Sequence, residues 1–169
     1  MGRPDNQVRA EKDNRMNTVL YFSPDDVIYE TRAYSKADIA ELVHNCGLES
    51  LSSADAQFDF WFTTSTHRCH RGVNRSATRM LLATTQFNSK SVPLLRGGVV
   101  VATHDPDGAL DGLSWQQLDV LAQRHRSLTR REQRNLGRRI GRDDRRRQRS
   151  QGPAQTAGGV QVQQSTAPQ

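Results

Sequence analysis

Long apolar runs, cysteine and lysine are all scarce in this chain of 169 residues. No apolar stretch approaches the ~18 residues that a membrane-spanning helix needs, and the N-terminus lacks an apolar signal core, so no membrane partner is expected. Two cysteines are too few for a disulfide scaffold, which favours an intracellular protein with reduced thiols. Only 3 of the 24 basic residues are lysine, so arginine carries most of the positive charge.

The motifs of common enzyme and cofactor sites are missing as well. The chain has no Gly-x-x-x-x-Gly-Lys phosphate loop, no Gly-x-Gly-x-x-Gly fingerprint and no Gly-x-Ser-x-Gly nucleophile elbow. Paired carboxylates at a strand end are also absent. We therefore predict no enzymatic activity, no catalytic residue and no cofactor.

Charge is unevenly distributed along the chain, whose net charge is +6. Residues 124–149 hold 12 Arg and 3 acidic residues, whereas the rest of the chain holds 12 basic and 15 acidic residues. This asymmetry indicates a polyanion or an acidic protein surface as partner. With only 34% apolar residues, part of the chain is expected to lie outside a core. The predicted parts are a disordered leader (1–16), an α+β domain (17–126), an Arg-rich helical extension (127–150) and a disordered tail (151–169).

Alternating apolar residues and turn residues predict the strands. The most apolar run, Val99 to Ala102, lies between Gly-Gly and Asp-Pro-Asp-Gly, a pattern typical of a buried strand that ends in a turn. Residues 17–22 and 27–34 flank Ser-Pro-Asp-Asp and predict a β-hairpin. Residues 58–62 predict another strand with three Phe on one face, and residues 48–57 are predicted as a loop.

Capping residues predict where the helices begin. Ser35, Asn74 and Ser114 each fit the N-cap position before an apolar stripe, and the first helix is expected to end at Gly47. The helix after Ser114 is expected to bury Trp115 together with Leu118 and Leu121. The order β-β-α-β-α-β-α indicates an α+β fold, a small mixed or antiparallel sheet covered by helices, with a basic helical or disordered C-terminal extension.

Two groups of residues have the chemistry of metal ligands without a standard spacing. Three lie in the polar loop at 65–72 and two end the first predicted helix, but no second Cys-x-x-Cys or His-x-x-x-His accompanies them. Asp105-x-Asp107-Gly108 is half of a calcium loop and lacks the Glu at the twelfth position. We favour a polar loop and a plain turn and predict no metal site. The zinc candidates are His67, Cys69, His70, His44 and Cys46.

The C-terminal arginines are the strongest functional signal. Thr129 and Glu132 fit a capping box, but Leu136 and Ile140 are the only large apolar residues that follow, so this helix is expected to fray when free. Arginines fall all round it and predict salt-sensitive phosphate contacts. The alternatives are an acidic protein partner or a solubilising tail. The predicted nucleic-acid-binding residues are Arg130, Arg131, Arg134, Arg138, Arg139, Arg142, Arg145 and Arg146.

Residues 58–121 resemble a family of small domains of unknown function from tailed phages and actinobacterial mobile elements. The resemblance is carried by an Asn-x-x-Ala-Thr helix start at Asn74, a Gly-led apolar strand after Gly98, the Asp105-Pro-Asp-Gly turn and Leu113-Ser114. It implies a phage or mobile-element origin and transfers no catalytic residue. It does not cover the Arg-rich segment.

Together these observations predict a non-enzymatic phage or mobile-element accessory protein. Its Arg-rich segment is expected to contact nucleic acid, either DNA or RNA, or the ribosome, while the α+β domain docks a partner. The alternative is a protein-directed modulator or inhibitor of a host enzyme or complex, in which the acidic domain does the binding. The expected location is cytoplasmic, in the host cytoplasm if a phage encodes the chain.

Overall fold

The computed structural model describes residues 17–44, 47–64 and 72–150, in which strands form one antiparallel sheet and helices cover both of its faces. The predicted leader and tail, 1–16 and 151–169, lie outside the described residues. The strands are β1 (Asn17–Phe22), β2 (Ile28–Ala33), β3 (Leu48–Ser52), β4 (Asp59–Thr63), β5 (Val99–His104) and β6 (Leu110–Asp111). The helices are α1 (Lys36–Leu42), α2 (Arg75–Thr84), α3 (Trp115–Ser127) and α4 (Arg130–Ser150).

The predicted apolar strand, β5, is the centre of the sheet. The strand order is β2-β1-β5-β4-β3, all neighbours are antiparallel, and β6 pairs with the end of β5. Val99 to Ala102 are fully buried, because β5 is flanked by strands on both sides and by side chains on both faces. The α+β prediction is therefore confirmed, with an antiparallel sheet.

Alternation along the strands sends side chains to two separate cores. One face carries Phe22, Phe60 and Val101 and packs against α2, α3 and α4. The opposite face carries Val19 and Val100 and packs against the short helix α1. Because successive strand residues point to opposite faces, one continuous run such as that of β5 serves both cores.

Asn74 joins the sheet to α2. Its side-chain Oδ1 accepts the Ala77 N–H at 3.0 Å, which caps the helix. Its amide Nδ2 lies within hydrogen-bond distance of the carbonyl oxygens of Phe22, Ser23 and Gly97, at 3.0, 3.0 and 2.8 Å. One buried side chain therefore fixes the end of β1, the approach to β5 and the start of α2 together.

Three details differ from the sequence predictions. Residues 48–57 are not all loop, since β3 pairs with β4 along its whole length. This edge strand has only two apolar residues, Leu48 and Leu51, which are three positions apart, so it lacks the alternation that predicts a strand. Helix α1 ends at Leu42, and His44 has a positive φ of 62°, so the chain turns before Gly47. Trp115 is 81% exposed, because it begins α3 on the side away from Leu121.

The Asp105-Pro-Asp-Gly segment forms the loop between β5 and β6. Asp105 Oδ1 accepts the main-chain N–H groups of Asp107 and Ala109, at 3.0 and 2.9 Å. Gly108 adopts a φ of +76°, the left-handed conformation that glycine accommodates without a Cβ clash. The carboxylate that a calcium loop would use is here committed to the turn itself.

Candidate nucleic-acid interface

Helix α4 begins at a capping box that the sequence predicts. The Thr129 hydroxyl accepts the Glu132 N–H at 3.2 Å, and the Glu132 carboxylate accepts the Thr129 N–H at 2.9 Å. The hydrogen bonds from Thr129 lower the pKa of the Glu132 carboxyl below its usual value. This first turn satisfies main-chain donors that a helix otherwise leaves unpaired.

The inner face of α4 belongs to the core of the domain. Leu136 and Ile140 are buried, four residues apart, and join the cluster that contains Leu81, Leu121 and Leu128. Leu136 and Ile140, the only large apolar residues of this helix, therefore pack against a surface of the domain. In the structure α4 is a 21-residue helix docked on the domain along this face.

The acidic residues of α4 also turn inward. Asp143 accepts a hydrogen bond from Arg96 at 2.6 Å and from Arg147 on the next turn at 3.2 Å. Burial raises the pKa of the Asp143 carboxyl, but the Arg96 hydrogen bond and the two arginine charges outweigh it and leave the pKa below the usual value. Asp144 pairs with Arg75 of α2 at 3.3 Å. With Glu132 used in the cap, every acid on α4 has a partner away from its outer face.

The outer face of α4 carries a continuous row of arginines. At about 100° per residue, six arginines fall within a sector of about 80° that points away from Leu136 and Ile140. All six side chains are exposed, and no acidic residue of α4 lies in the same sector. From its first to its last arginine the row extends over about 27 Å of helix. We call it the outer stripe: Arg131, Arg134, Arg138, Arg142, Arg145 and Arg149.

The predicted binding residues divide between this stripe and its flanks. Five of the eight belong to the outer stripe, and Arg149 extends it. Arg130 and Arg146 are exposed on either flank. Arg139 is half-buried, and its Nη1 donates to the Val92 carbonyl oxygen at 2.6 Å, so it ties α4 to the domain. The arginines do not fall uniformly round the helix, as the sequence interpretation had it, because the inner side is apolar and acidic.

A groove of 620 Å³ runs beside the outer stripe, between α4 and the segment that leads from α2 to β5. Lys90 and Ser89 form one wall, and the opposite wall includes Arg138, Arg142 and Arg146. Asp143 also lines the groove, but its charge is already paired with Arg96. The groove therefore widens the cationic surface from a row to a strip on one side of the domain.

A second polar cluster lies on the opposite face of the sheet, beside α1. Asp59 is buried; its Oδ1 accepts from the Ser52 hydroxyl at 2.6 Å and its Oδ2 lies 2.5 Å from His104 Nδ1. A cleft of 250 Å³ opens here, lined also by Lys36 and Trp61. The serine donates to the carboxylate, not to the imidazole, so the trio lacks the order of a Ser-His-Asp triad. The sequence gives no signal for this pair, because 45 residues separate Asp59 from His104.

No protein-family model, curated protein or solved structure matches this chain. These comparisons neither support nor contradict the resemblance to a phage domain family, which stays a prediction.

The zinc candidates are only partly within the described residues. His67, Cys69, His70 and Cys46 lie outside them, and His44 is an exposed residue after α1. Among residues 17–44, 47–64 and 72–150, no group of three or more metal-ligating side chains is close enough to hold an ion. None of the helices described combines the length and apolar character needed to cross a membrane.

Proposed function

We propose that this chain is a non-enzymatic accessory protein of a phage or mobile element, and that the outer stripe of α4 binds nucleic acid. The single observation that carries the binding proposal is the segregation of charge on α4. Its acids face the domain or close the helix cap, while six exposed arginines share one sector of the helix. A solubilising helix has no need of this separation, because mixed charges serve solubility equally well.

The outer stripe lowers the stability of its own helix. Like charges three or four residues apart destabilise a helix by ~0.2–0.5 kcal/mol per pair, and the stripe has five such successive pairs. The helix nevertheless stays formed, because Leu136, Ile140 and the Arg96–Asp143 ion pair hold α4 on the domain. A polyanion that lies along the stripe removes this repulsion, so binding and helix stability favour each other.

The chemistry of the stripe favours phosphate contacts over base recognition. Guanidinium groups match phosphate geometry and can donate two parallel hydrogen bonds. No Phe, Tyr or Trp lies between residues 124 and 149, so base stacking on these three side chains cannot contribute in this segment. We expect binding that is weakly sequence-selective and steeply dependent on salt.

The test is fluorescence anisotropy with labelled single-stranded and double-stranded DNA and RNA over ~50 to ~300 mM salt, where counterion release is measurable. Replacement of the six stripe arginines by Gln should flatten the slope of log K against log salt by up to ~5 units for duplex DNA and ~4 for single strands. The thermal midpoint of the variant should stay equal or rise, because like-charge repulsion is removed.

A matched control separates the stripe from net charge. Arg134→Gln with Arg138→Gln removes two charges from the stripe, and Lys36→Gln with Arg126→Gln removes two exposed charges elsewhere. Only the first pair should reduce the salt slope, by ~1.4 to ~1.8 units. Absence of binding at low salt, or equal effects of both pairs, would reject the proposal and favour an acidic protein partner.

A further inference from the structure

The groove beside the outer stripe has cations on both of its walls. The wall formed by α4 carries Arg138, Arg142 and Arg146. The opposite wall belongs to the segment between α2 and β5 and carries the exposed Lys90. The groove volume of 620 Å³ falls within the ~300–1,000 Å³ that is typical of sites for small organic ligands. One or two nucleotides of a strand can therefore lie between positive charges, whereas contact with the stripe alone is one-sided.

The lining of this groove is not cationic throughout. Leu94, which is half-buried against the main core, and Asn135 also line it. An apolar side chain offers nothing to a phosphate but can contact the face of a base or a sugar, and an amide both donates and accepts hydrogen bonds. The acid in the lining, Asp143, is held by Arg96 at 2.6 Å and by Arg147 at 3.2 Å. The groove therefore suits a ligand that presents bases as well as phosphates.

An exposed aromatic ring lies next to the Lys90 wall. Phe87 is 40% exposed, and its Cα lies within ~7 Å of that of Ser89 in the groove lining, because only two residues separate them in sequence. Asn88 fixes this turn, since its Oδ1 accepts the N–H groups of Lys90 and Ser91 at 2.9 and 3.1 Å. A base that projects from the groove can stack on the Phe87 ring, and such stacking requires a base that is not held within a duplex.

We propose that the groove binds single-stranded nucleic acid, with the phosphates of one strand between Lys90 and the α4 arginines and an unpaired base on Phe87. This inference rests on the proposed function and names the form of nucleic acid that the site selects. A duplex reaches the outer stripe through its phosphates, but its bases are paired and stacked inside it, so it gains nothing from Leu94 or Phe87. A single strand makes the phosphate contacts and the base contacts together.

Competition between the two forms tests this selection. The full chain is bound to a labelled single strand of ~12 nucleotides, a length in the range of known single-strand sites, and the complex is challenged by unlabelled single strand or by duplex of equal length. Near ~150 mM salt the single strand should bind at least ~5-fold tighter, although the duplex has the higher charge density. A duplex that competes as well as the single strand, or better, would overturn the proposal.

Variants of Phe87 separate the role of the ring from that of an apolar side chain. Phe87→Leu should weaken single-strand binding at least ~5-fold, the change expected when stacking of one base is lost, and should leave duplex binding unchanged. Phe87→Tyr keeps the ring and should bind both forms as the parent does. Trp115→Ala removes a ring that is 81% exposed and does not line the groove, so it should change neither. Circular dichroism melting shows whether each variant is folded, and a folded Phe87→Leu variant with the parent's single-strand affinity would contradict the proposal.

Lys90→Gln tests the second wall without a change in α4. It should lower the slope of log K against log salt by ~0.7 units for the single strand and leave the duplex slope unchanged. The matched control is Lys36→Gln, an exposed lysine of α1 on the opposite face of the sheet, which should alter neither slope.

The outcomes keep this inference apart from the proposal for the stripe. If replacement of the six stripe arginines abolishes binding while Lys90→Gln and Phe87→Leu bind as the parent does, the stripe binds nucleic acid and the groove does not. Equal losses of single-strand and duplex binding in Lys90→Gln would likewise overturn the selection of single strands. Absence of binding to either form would reject both proposals.

Discussion

The polar residues around Asn74 are buried and bonded within the fold, whereas the arginines of the outer stripe are exposed to solvent. Asn74 is buried, and its donors and acceptor are all used within the fold. The nearby Thr78 hydroxyl likewise donates to the Asn74 carbonyl at 2.7 Å and accepts the Leu95 N–H at 3.1 Å. The stripe arginines are exposed and lie on the face opposite the core.

This comparison separates residues that hold the fold from residues that are available to a partner. The Asn-x-x-Ala-Thr motif predicts a helix start, and in the structure its polar atoms also hold β1, α2 and β5 together. The arginines were predicted to fall all round the helix, but in the structure six of them share the side opposite Leu136 and Ile140. Variants of the first region should therefore lower stability and leave binding unchanged, whereas variants of the second should weaken binding and leave stability equal or slightly higher.

The largest expected effect is that of Asn74→Ala. It removes a helix cap, about 1 kcal/mol, and leaves buried carbonyl oxygens of Phe22, Ser23 and Gly97 with fewer donors, so we expect a loss of ~3–4 kcal/mol in the free energy of unfolding. Urea denaturation measures it. Ser114→Ala, which removes an exposed cap, is the control and should cost only ~1 kcal/mol. Equal losses in the two variants would mean that the amide contacts contribute nothing.

Leu136→Ala tests whether α4 is part of the fold. A buried Leu→Ala change typically costs ~2–5 kcal/mol, and we expect ~3 kcal/mol here because Leu136 is fully buried in the main core. For the same reason a chain cut at residue 127, expected from the sequence to fold alone, should melt at a lower temperature than the full chain. A variant that melts like the parent would mean that α4 does not dock through this face.

Local signals made much of this fold predictable. The caps at Ser35, Asn74 and Ser114 depend on residues within three positions, and all three are present in the structure. The buried strand at Val99–Ala102 follows from its own composition. These features require no knowledge of distant parts of the chain, which explains why the predictions for them are confirmed.

Contacts between distant segments account for the rest. Asn74 meets carbonyl groups 23 to 52 residues away, and Asp143 meets Arg96, 47 residues earlier. Strand order depends on such contacts too, so it could not be read from composition. Within α4 the periodicity of Leu136 and Ile140 was visible, but only the docked helix shows that this side is covered by the domain and that the stripe arginines on the opposite side are exposed.

Asp143→Asn tests the inward ion pair and its dependence on pH. The folded-state pKa of Asp143 lies below its usual value, so the carboxylate stabilises the fold above about pH 4 and this contribution is lost as pH falls through the folded-state pKa. We expect Asn to cost ~1 kcal/mol at pH 7, since the pair with Arg96 is only partly buried. The difference between parent and variant should shrink in urea melts towards pH 3. If parent and variant differ in stability by the same amount at pH 7 and near pH 3, the loss does not come from removal of the Asp143 negative charge.

The smallest expected effect is that of Gly137→Ala, which tests the stability of α4 and the affinity of the outer stripe in one variant. A methyl group at Gly137 meets no atom within 4 Å, so the change should only lower the flexibility of the unfolded chain and stabilise α4 by ~0.5–1 kcal/mol. If the stripe binds nucleic acid as a preformed helix, affinity should stay within ~2-fold of the parent, because the helix is already docked. A gain of several-fold would mean that α4 is only partly formed before binding, as in segments that fold on their ligand. The salt slope should be unchanged, since no phosphate contact is added, and a changed slope would mean that the number of arginine–phosphate contacts had changed. Anisotropy and thermal melting on the same preparation distinguish these outcomes.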